Sequence, residues 1–202
     1  VAAREAECMD FWWIDWQQGE TKGNTGHDGP RHKMNPTIWL NKLRTTDAKR
    51  RCVDGDGASC DKRRGVTFGR FGGLGNHRYQ HGFSGDVANV DWANMAYQAY
   101  FTATASNVAF GWWSHDLVGP NNGDYELYTR WLQLGAYSPI MRMHDRGMSA
   151  GSCFGWPSDA TKCHMDVPWS VPAAFAAANR DAARARAALV PYVYTSARAS
   201  HD

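Results

Sequence analysis

Short apolar runs that each stop on a charged or imidazole side chain, with a helix-spaced stretch after each, constrain this chain more than any other feature. Met9-Asp10-Phe11-Trp12-Trp13-Ile14 is an aromatic and β-branched run that predicts a buried strand closing at Asp15. Val66-Thr67-Phe68 predicts a second strand, running into Arg70 and a glycine-dense loop that lasts to Asp86. Residues 107–112 predict a third, leading into Ser114-His115-Asp116, and residues 138–143 a weaker fourth that ends at His144-Asp145. Between them, helical spacing links Ile38, Leu40 and Leu43, then Trp92, Met95, Ala96, Ala99, Tyr100 and Ala103, then Leu127, Trp131 and Leu134. An alanine-rich helix is expected over residues 171–189, and Pro191 marks a break before residues 192–199.

Strands alternating with helices imply right-handed crossovers and a parallel sheet, so the fold class is α/β. A doubly wound sheet would gather its polar residues at one switch point, beside a glycine-rich phosphate turn after the first strand. A TIM barrel instead delivers a functional residue at the carboxyl end of every strand. All four expected strands end that way, at Asp15, Arg70, Asp116 and His144, which favours the barrel. Closing a barrel takes about 250 residues, so residues 1–202 are expected to form one partial (β/α)8 domain of about four consecutive βα units. The chain opens on Val1, and its last residues continue a helical pattern without a stop, which agrees with a fragment.

Composition removes several classes. At 43% hydrophobic and 21% charged residues the chain is globular, not disordered. Lys plus Arg (22) nearly balance Asp plus Glu (20), so there is no broad cationic field for nucleic acid. No stretch reaches the ~18 consecutive apolar residues of a membrane span. The opening segment carries Arg4, Glu5 and Glu7 where a signal peptide is apolar.

Among the five cysteines, Cys52 and Cys60 bracket one loop, Cys153 and Cys163 bracket another, and Cys8 is left over. Two local disulfides and one thiol are the expectation, which places the protein in an oxidising compartment, secreted or in a secretory or lysosomal-type lumen. Five reduced thiols in the cytoplasm is the alternative. Zinc is disfavoured because no Cys-x-x-Cys occurs. Within the Cys-bracketed insert, at about residues 47–65, Asp54-Gly55-Asp56-Gly57 has the look of a calcium loop without its full ligand series or closing Glu. A solvated surface loop is the favoured reading there. A basic docking patch made of Lys49-Arg50-Arg51 and Lys62-Arg63-Arg64 is the remaining one.

Two carboxylates are candidates for chemistry, Asp15 and Asp86. An acetal bond between sugars breaks through a transition state with positive charge at the anomeric carbon. One carboxylate can trap that charge while a protonated partner donates to the leaving oxygen. Taken singly, an Asp is more often a loop or helix-capping residue, and Asp86 precedes a helix. Arg70 alone reads as a surface charge or a structural partner for an Asp, and His144 as a strand-end His bonded to backbone. Aromatics make up 13% of the chain, many beside Gly, Asp or His. That pairing often lines sugar sites, although any single Trp is more often core.

Asp10-Phe11-Trp12-Trp13-Ile14-Asp15-Trp16-Gln17-Gln18-Gly19 resembles the nucleophile segment of glycoside hydrolase family 31, the α-glucosidase family, in the variant group with Trp-Gln-Gln after the Asp. Gly69-Arg70-Phe71-Gly72-Gly73, Arg78-Tyr79 and Gly82-Phe83-Ser84-Gly85-Asp86 resemble the same family's substrate-binding Arg and acid/base segment. Residues 105–116 and 137–144 match its next two barrel strands. The resemblance covers nearly the whole chain and implies the second half of the barrel.

It further implies a retaining α-glycoside hydrolase in which Asp15 attacks the anomeric carbon and Asp86 is acid/base, with the two carboxyls about 5 to 5.5 Å apart. Arg70 and His144 would bind sugar hydroxyls, Asp116 would support them, and Trp13, Trp16 and Phe83 would wall the pocket. Two departures from the commoner pattern stand out: Trp16-Gln17-Gln18 replaces Met-Asn-Glu, and Phe83 stands where Trp is usual. No metal or cofactor is implied. The substrate class the resemblance implies is an α-linked oligosaccharide or glycoside, an α-glucoside first among them. The missing barrel half and flanking β domains are expected in the parent chain, so this polypeptide alone is expected to be inactive and aggregation-prone. A non-catalytic sugar-binding relative, or a transglycosylase using the same covalent intermediate, are the alternatives.

Overall fold

The computed structural model describes residues 11–15, 39–46, 66–70, 73–79, 81–85, 91–118, 124–144 and 168–201. Trp16, Asp86, the insert at 47–65 and all five cysteines, with their expected pairing, lie outside the described residues. The chain divides into two compact units, Val1–Gly85 with Asn107–Trp112, and Asp86–Ser106 with Trp113–Asp202.

In the first unit, β1 (Trp12–Ile14), β2 (Thr67–Gly69) and β3 (His81–Phe83) are parallel neighbours in that order. Their register sets Trp13 opposite Phe68, Ile14 opposite Gly69, and Phe68 opposite His81. β2 is buried along its length, as a central parallel strand should be. The expectation of a fully buried first strand holds for one face only. Ile14 is buried, whereas Trp13 is 49% exposed, because β1 lies at the sheet edge and alternates its side chains.

β3 falls in a stretch that reads as loop from sequence. With Gly82 at its centre it has little strand propensity, and pairing with β2 supplies what the residues do not. Residues 39–46 form a helix, α1. It is tied down where Thr45 and Thr67 hydroxyls, 2.7 Å apart, both donate toward the Tyr79 carbonyl.

The strand expected over 107–112 is not there. α2 (Trp92–Ala105) instead runs into a 3-10 turn, Ser106–Val108, and Ala109 adopts a left-handed φ of 67°. The tightened turn and the Ser106 hydroxyl, which donates to the Ala103 carbonyl at 2.8 Å, satisfy the end of the helix and override the β-branched pattern. Pairing resumes at β4 (Trp113–Ser114), where Ser114 bridges Ile140 in parallel. An additional strand, β5 (Leu117–Val118), pairs in parallel with β6 (Met143–His144), so the fourth expected strand is shorter and later than its sequence run.

The core of the second unit is built on α3 (Tyr125–Tyr137), capped by Asp124, whose carboxylate accepts from the Leu127 amide at 2.9 Å. Leu127, Tyr128, Trp131 and Leu132 pack with Leu117 and Val171, and Phe175 of α4 (Ala173–Ala188) closes the cluster. At the carboxyl end of α3 the Arg186 guanidinium donates to the carbonyls of Ala136, Ser138 and Pro139, supplying donors that a helix end lacks. The alanine-rich helix ends at Leu189, and α5 (Val190–His201) starts at once. Pro191 sits in its first turn, where a missing N–H costs nothing.

A methyl group at Gly135 would fall 2.2 Å from Leu117 Cδ1, and Leu117 is itself buried. Gly135→Ala is therefore expected to destabilise by about 1–3 kcal/mol through overpacking, despite a helix-propensity gain of about 1 kcal/mol. Urea unfolding of the full-length protein reads this, and Leu117→Val in the same molecule should recover part of the loss. A stabilised Gly135→Ala protein would contradict the contact.

Candidate active site

In the first unit the parallel register fixes the site. With Ile14 opposite Gly69, the next residues, Asp15 and Arg70, emerge side by side at the carboxyl edge, and the Arg70 amide donates to the Ile14 carbonyl at 3.2 Å. Arg70 grips the carboxylate at two points, Nε to Oδ1 at 2.5 Å and Nη2 to Oδ2 at 3.2 Å. The Arg70 side chain is only 9% exposed and that of Asp15 is 24% exposed, so the pair is shielded while the carboxylate keeps some access to solvent.

Below it, Phe83 is fully buried, stacked on Phe68 at 4.7 Å, edge-on to Trp13 at 5.9 Å, with the Arg70 guanidinium carbon 5.6 Å from its ring centre. Gly85 has φ +79°, and a side chain there would lie 3.1 Å from Arg70 Cγ, Cδ and Nε. The backbone leading to Asp86 is thus moulded onto Arg70, which only glycine allows.

The second unit holds a separate group. Ser114, His115 and Asp116 are all fully buried. The β5–β6 register brings Asp116 beside Arg142, and the Leu117 amide donates to the Arg142 carbonyl at 3.2 Å. Arg142 Nη2 donates to Asp116 Oδ1, while His144 Nε2 stands 3.7 Å from Oδ2. Among the described residues Oδ2 has no hydrogen-bond donor.

Arg142 escaped the sequence reading because it lies inside an expected strand. Its position two residues before His144, hence on the same face of a strand, is the signal that could have found it. His115 also went unassigned. Its Nε2 bonds the Thr102 hydroxyl of α2, and burial lowers its pKa to about 4, so the ring is neutral at physiological pH.

The inward face of α2 is mixed: of the stripe expected from Trp92, Met95, Ala96, Ala99, Tyr100 and Ala103, Met95 packs against the core, and Ala105 and Phe101 also turn inward, but Asn94, Gln98 and Thr102 lie among them. Tyr100 and Tyr97 are exposed, and Gln98 is buried, donating to Asn94 at 3.1 Å. Among the described residues no cluster of His, Cys, Asp and Glu is arranged to hold a metal.

Parallel strands interleaved with helices, each strand delivering a polar side chain at its carboxyl end, define a stretch of TIM barrel. The chain belongs to glycosyl hydrolase family 31: the model of that family's TIM-barrel domain matches residues 3–196. It is similar to alpha-xylosidase A of Aspergillus niger, 29% identical over 147 residues, which cover 65% of this chain and 18% of that protein. It is also similar to an alpha-xylosidase of Saccharolobus solfataricus, 26% identical over 201 residues covering 94% of this chain and 25% of that protein.

Among solved structures it resembles a GH31 dextranase of Flavobacterium johnsoniae complexed with isomaltotriose, with a TM-score of 0.71 and 22% identity over 99% of this chain and 24% of that one. A soil-metagenome GH31 alpha-xylosidase complexed with xylose gives a TM-score of 0.70 and 18% identity over 98% of this chain and 30% of that one. These structures share the fold. The chain spans about a quarter or less of the length of the curated relatives it matches.

Proposed function

We propose that this chain is the part of a retaining α-glycoside hydrolase that carries its nucleophile, Asp15, and its acid/base, Asp86, and that the full-length protein cleaves α-glucosidic bonds by double displacement. The observation that carries this reading is the Asp15 carboxylate at the end of β1, clamped by Arg70 from the end of β2 and still partly exposed. In the first step the Asp15 carboxylate forms an ester with the anomeric carbon as Asp86 protonates the departing oxygen. In the second, Asp86 takes a proton from water, which attacks the same carbon, and the ester breaks. The role of Asp86 rests on its place in the Gly82-Phe83-Ser84-Gly85-Asp86 motif.

The motif match assigns Arg70 and His144 to hydroxyls of the cleaved sugar and Asp116 to supporting them. The same match assigns Trp13, Trp16 and Phe83 to the apolar wall, where Phe83, fully buried, acts by backing Trp13. The similarity to two alpha-xylosidases favours a second reading of the same chemistry, with an α-xyloside in place of an α-glucoside.

A cyclitol epoxide or aziridine should esterify Asp15 in the full-length protein, with peptide mapping to locate the ester. Sugar affinity without any adduct, or an adduct elsewhere, would sink the reading. Aryl α-glucoside and α-xyloside turnover decides between the two substrates. The isolated 202-residue polypeptide is expected to turn over neither. Gly85→Ala is expected to lower kcat/KM about 10- to 100-fold, because a side chain at that φ is strained by about 1–2 kcal/mol and pushes Arg70 off Asp15. Wild-type kinetics in that variant would show the close approach to be irrelevant.

A further inference from the structure

We propose that His115 is a positioning residue: by its bond to Thr102 it fixes the link between β4 and β5 that presents the Asp116 carboxylate, and it acts on the sugar only through Asp116. The inference rests on the reading of Asp116 as a supporting group of the sugar site.

Three consecutive polar residues with no exposure are costly to bury unless each is bound. The Thr102 hydroxyl has one proton and donates it to the Gln98 carbonyl one helical turn back, at 2.8 Å. Its oxygen is therefore the acceptor toward His115, whose Nε2 must carry the hydrogen. This fixes the neutral ring in the Nε2–H tautomer. α2 is a firm anchor for that bond, since Phe101 packs edge-on against Trp113 at 4.9 Å and Gln98 and Asn94 bond each other beneath it.

Asp116 is the very next residue and is held on its other side by Arg142. The carboxylate thus hangs between two tethers, one to a helix and one to the neighbouring strand. Loosening either by an ångström shifts the carboxylate relative to His144, whose Nε2 stands 3.7 Å from Oδ2. A misplacement of that size costs on the order of 100-fold in rate.

The test is steady-state kinetics of the full-length protein on an aryl α-glucoside at pH 7. Thr102→Val removes the acceptor with little change of shape, His115→Leu removes the donor, and His115→Gln keeps an N–H donor. Thr104→Val serves as control, because Thr104 bonds only the Tyr100 and Phe101 carbonyls of its own helix. Thr102→Val and His115→Leu are expected to lower kcat/KM about 10- to 100-fold, with His115→Gln within about threefold of wild type and Thr104→Val unchanged. In an Asp116→Asn background Thr102→Val should cause no further loss, since the residue it positions is already disabled.

Undiminished kcat/KM in Thr102→Val overturns the proposal. So does an equal fold-loss in both backgrounds, which would mark a general structural effect. If the wild-type protein gives neither turnover nor an Asp15 ester, the glycosidase reading itself fails and this proposal falls with it.

Discussion

Asp15→Ala in the full-length protein is expected to cut hydrolysis of an aryl α-glucoside by about 10⁴- to 10⁶-fold, the scale on which enzymes lose a nucleophile. Added azide should restore part of the lost turnover. Removing the carboxylate leaves a space beside the Arg70 guanidinium, whose two contacts to Asp15 are then unfilled. A small anion fits that space in size and charge and attacks the anomeric carbon from the side Asp15 used. With no second displacement to follow, the product is a β-configured glycosyl azide, opposite to the substrate. Proton coupling at the anomeric position reads the configuration directly. An α-configured azide, or hydrolysis that persists without Asp15, would rule out the double displacement.

Acidification should destabilise the protein through His115. Its pKa is lowered by burial to about 4 in the folded state and stands near 6.5 when unfolded, so between these values the unfolded chain binds a proton that the native one does not. Stability is therefore full above about pH 6.5, falls as pH drops toward 4, and loses no more from this group below that. The group is fully buried, so the loss approaches about 3 kcal/mol. His81 is shifted down by burial too and adds in the same direction. His115→Gln cannot titrate, so the gap between its urea midpoint and that of wild type should move in favour of the variant from pH 7 to pH 4.5. A gap that stays constant would show that His115 is not buried neutral.

The ends of the strands were the most legible part of the chain, because a polar residue after a β-branched or aromatic run is a local pattern. Asp15 and Arg70 follow from it, and pairing brings them together. β3 was illegible, since His81-Gly82-Phe83 is short, has little strand propensity around Gly82, and is held by its pairing with β2. The inner face of α2 misled for the opposite reason. Three of its inward positions, half-buried Asn94 and Thr102 and buried Gln98, are polar and bond one another or His115, so apolar periodicity pointed also to Tyr100, which is exposed. Arg142 was hidden inside an expected strand, and only its pairing with Asp116 gives it meaning.

The in-step alignment of β1 with β2, Ile14 against Gly69, has an implication for redesign. Successive strand residues face opposite ways, so one residue inserted or deleted within β1 would turn the Asp15 carboxylate away from the side on which Arg70 holds it. A library that varies loop lengths can thus tolerate changes outside the strand, whereas a single-codon indel inside it would silence the carboxylate without touching its codon.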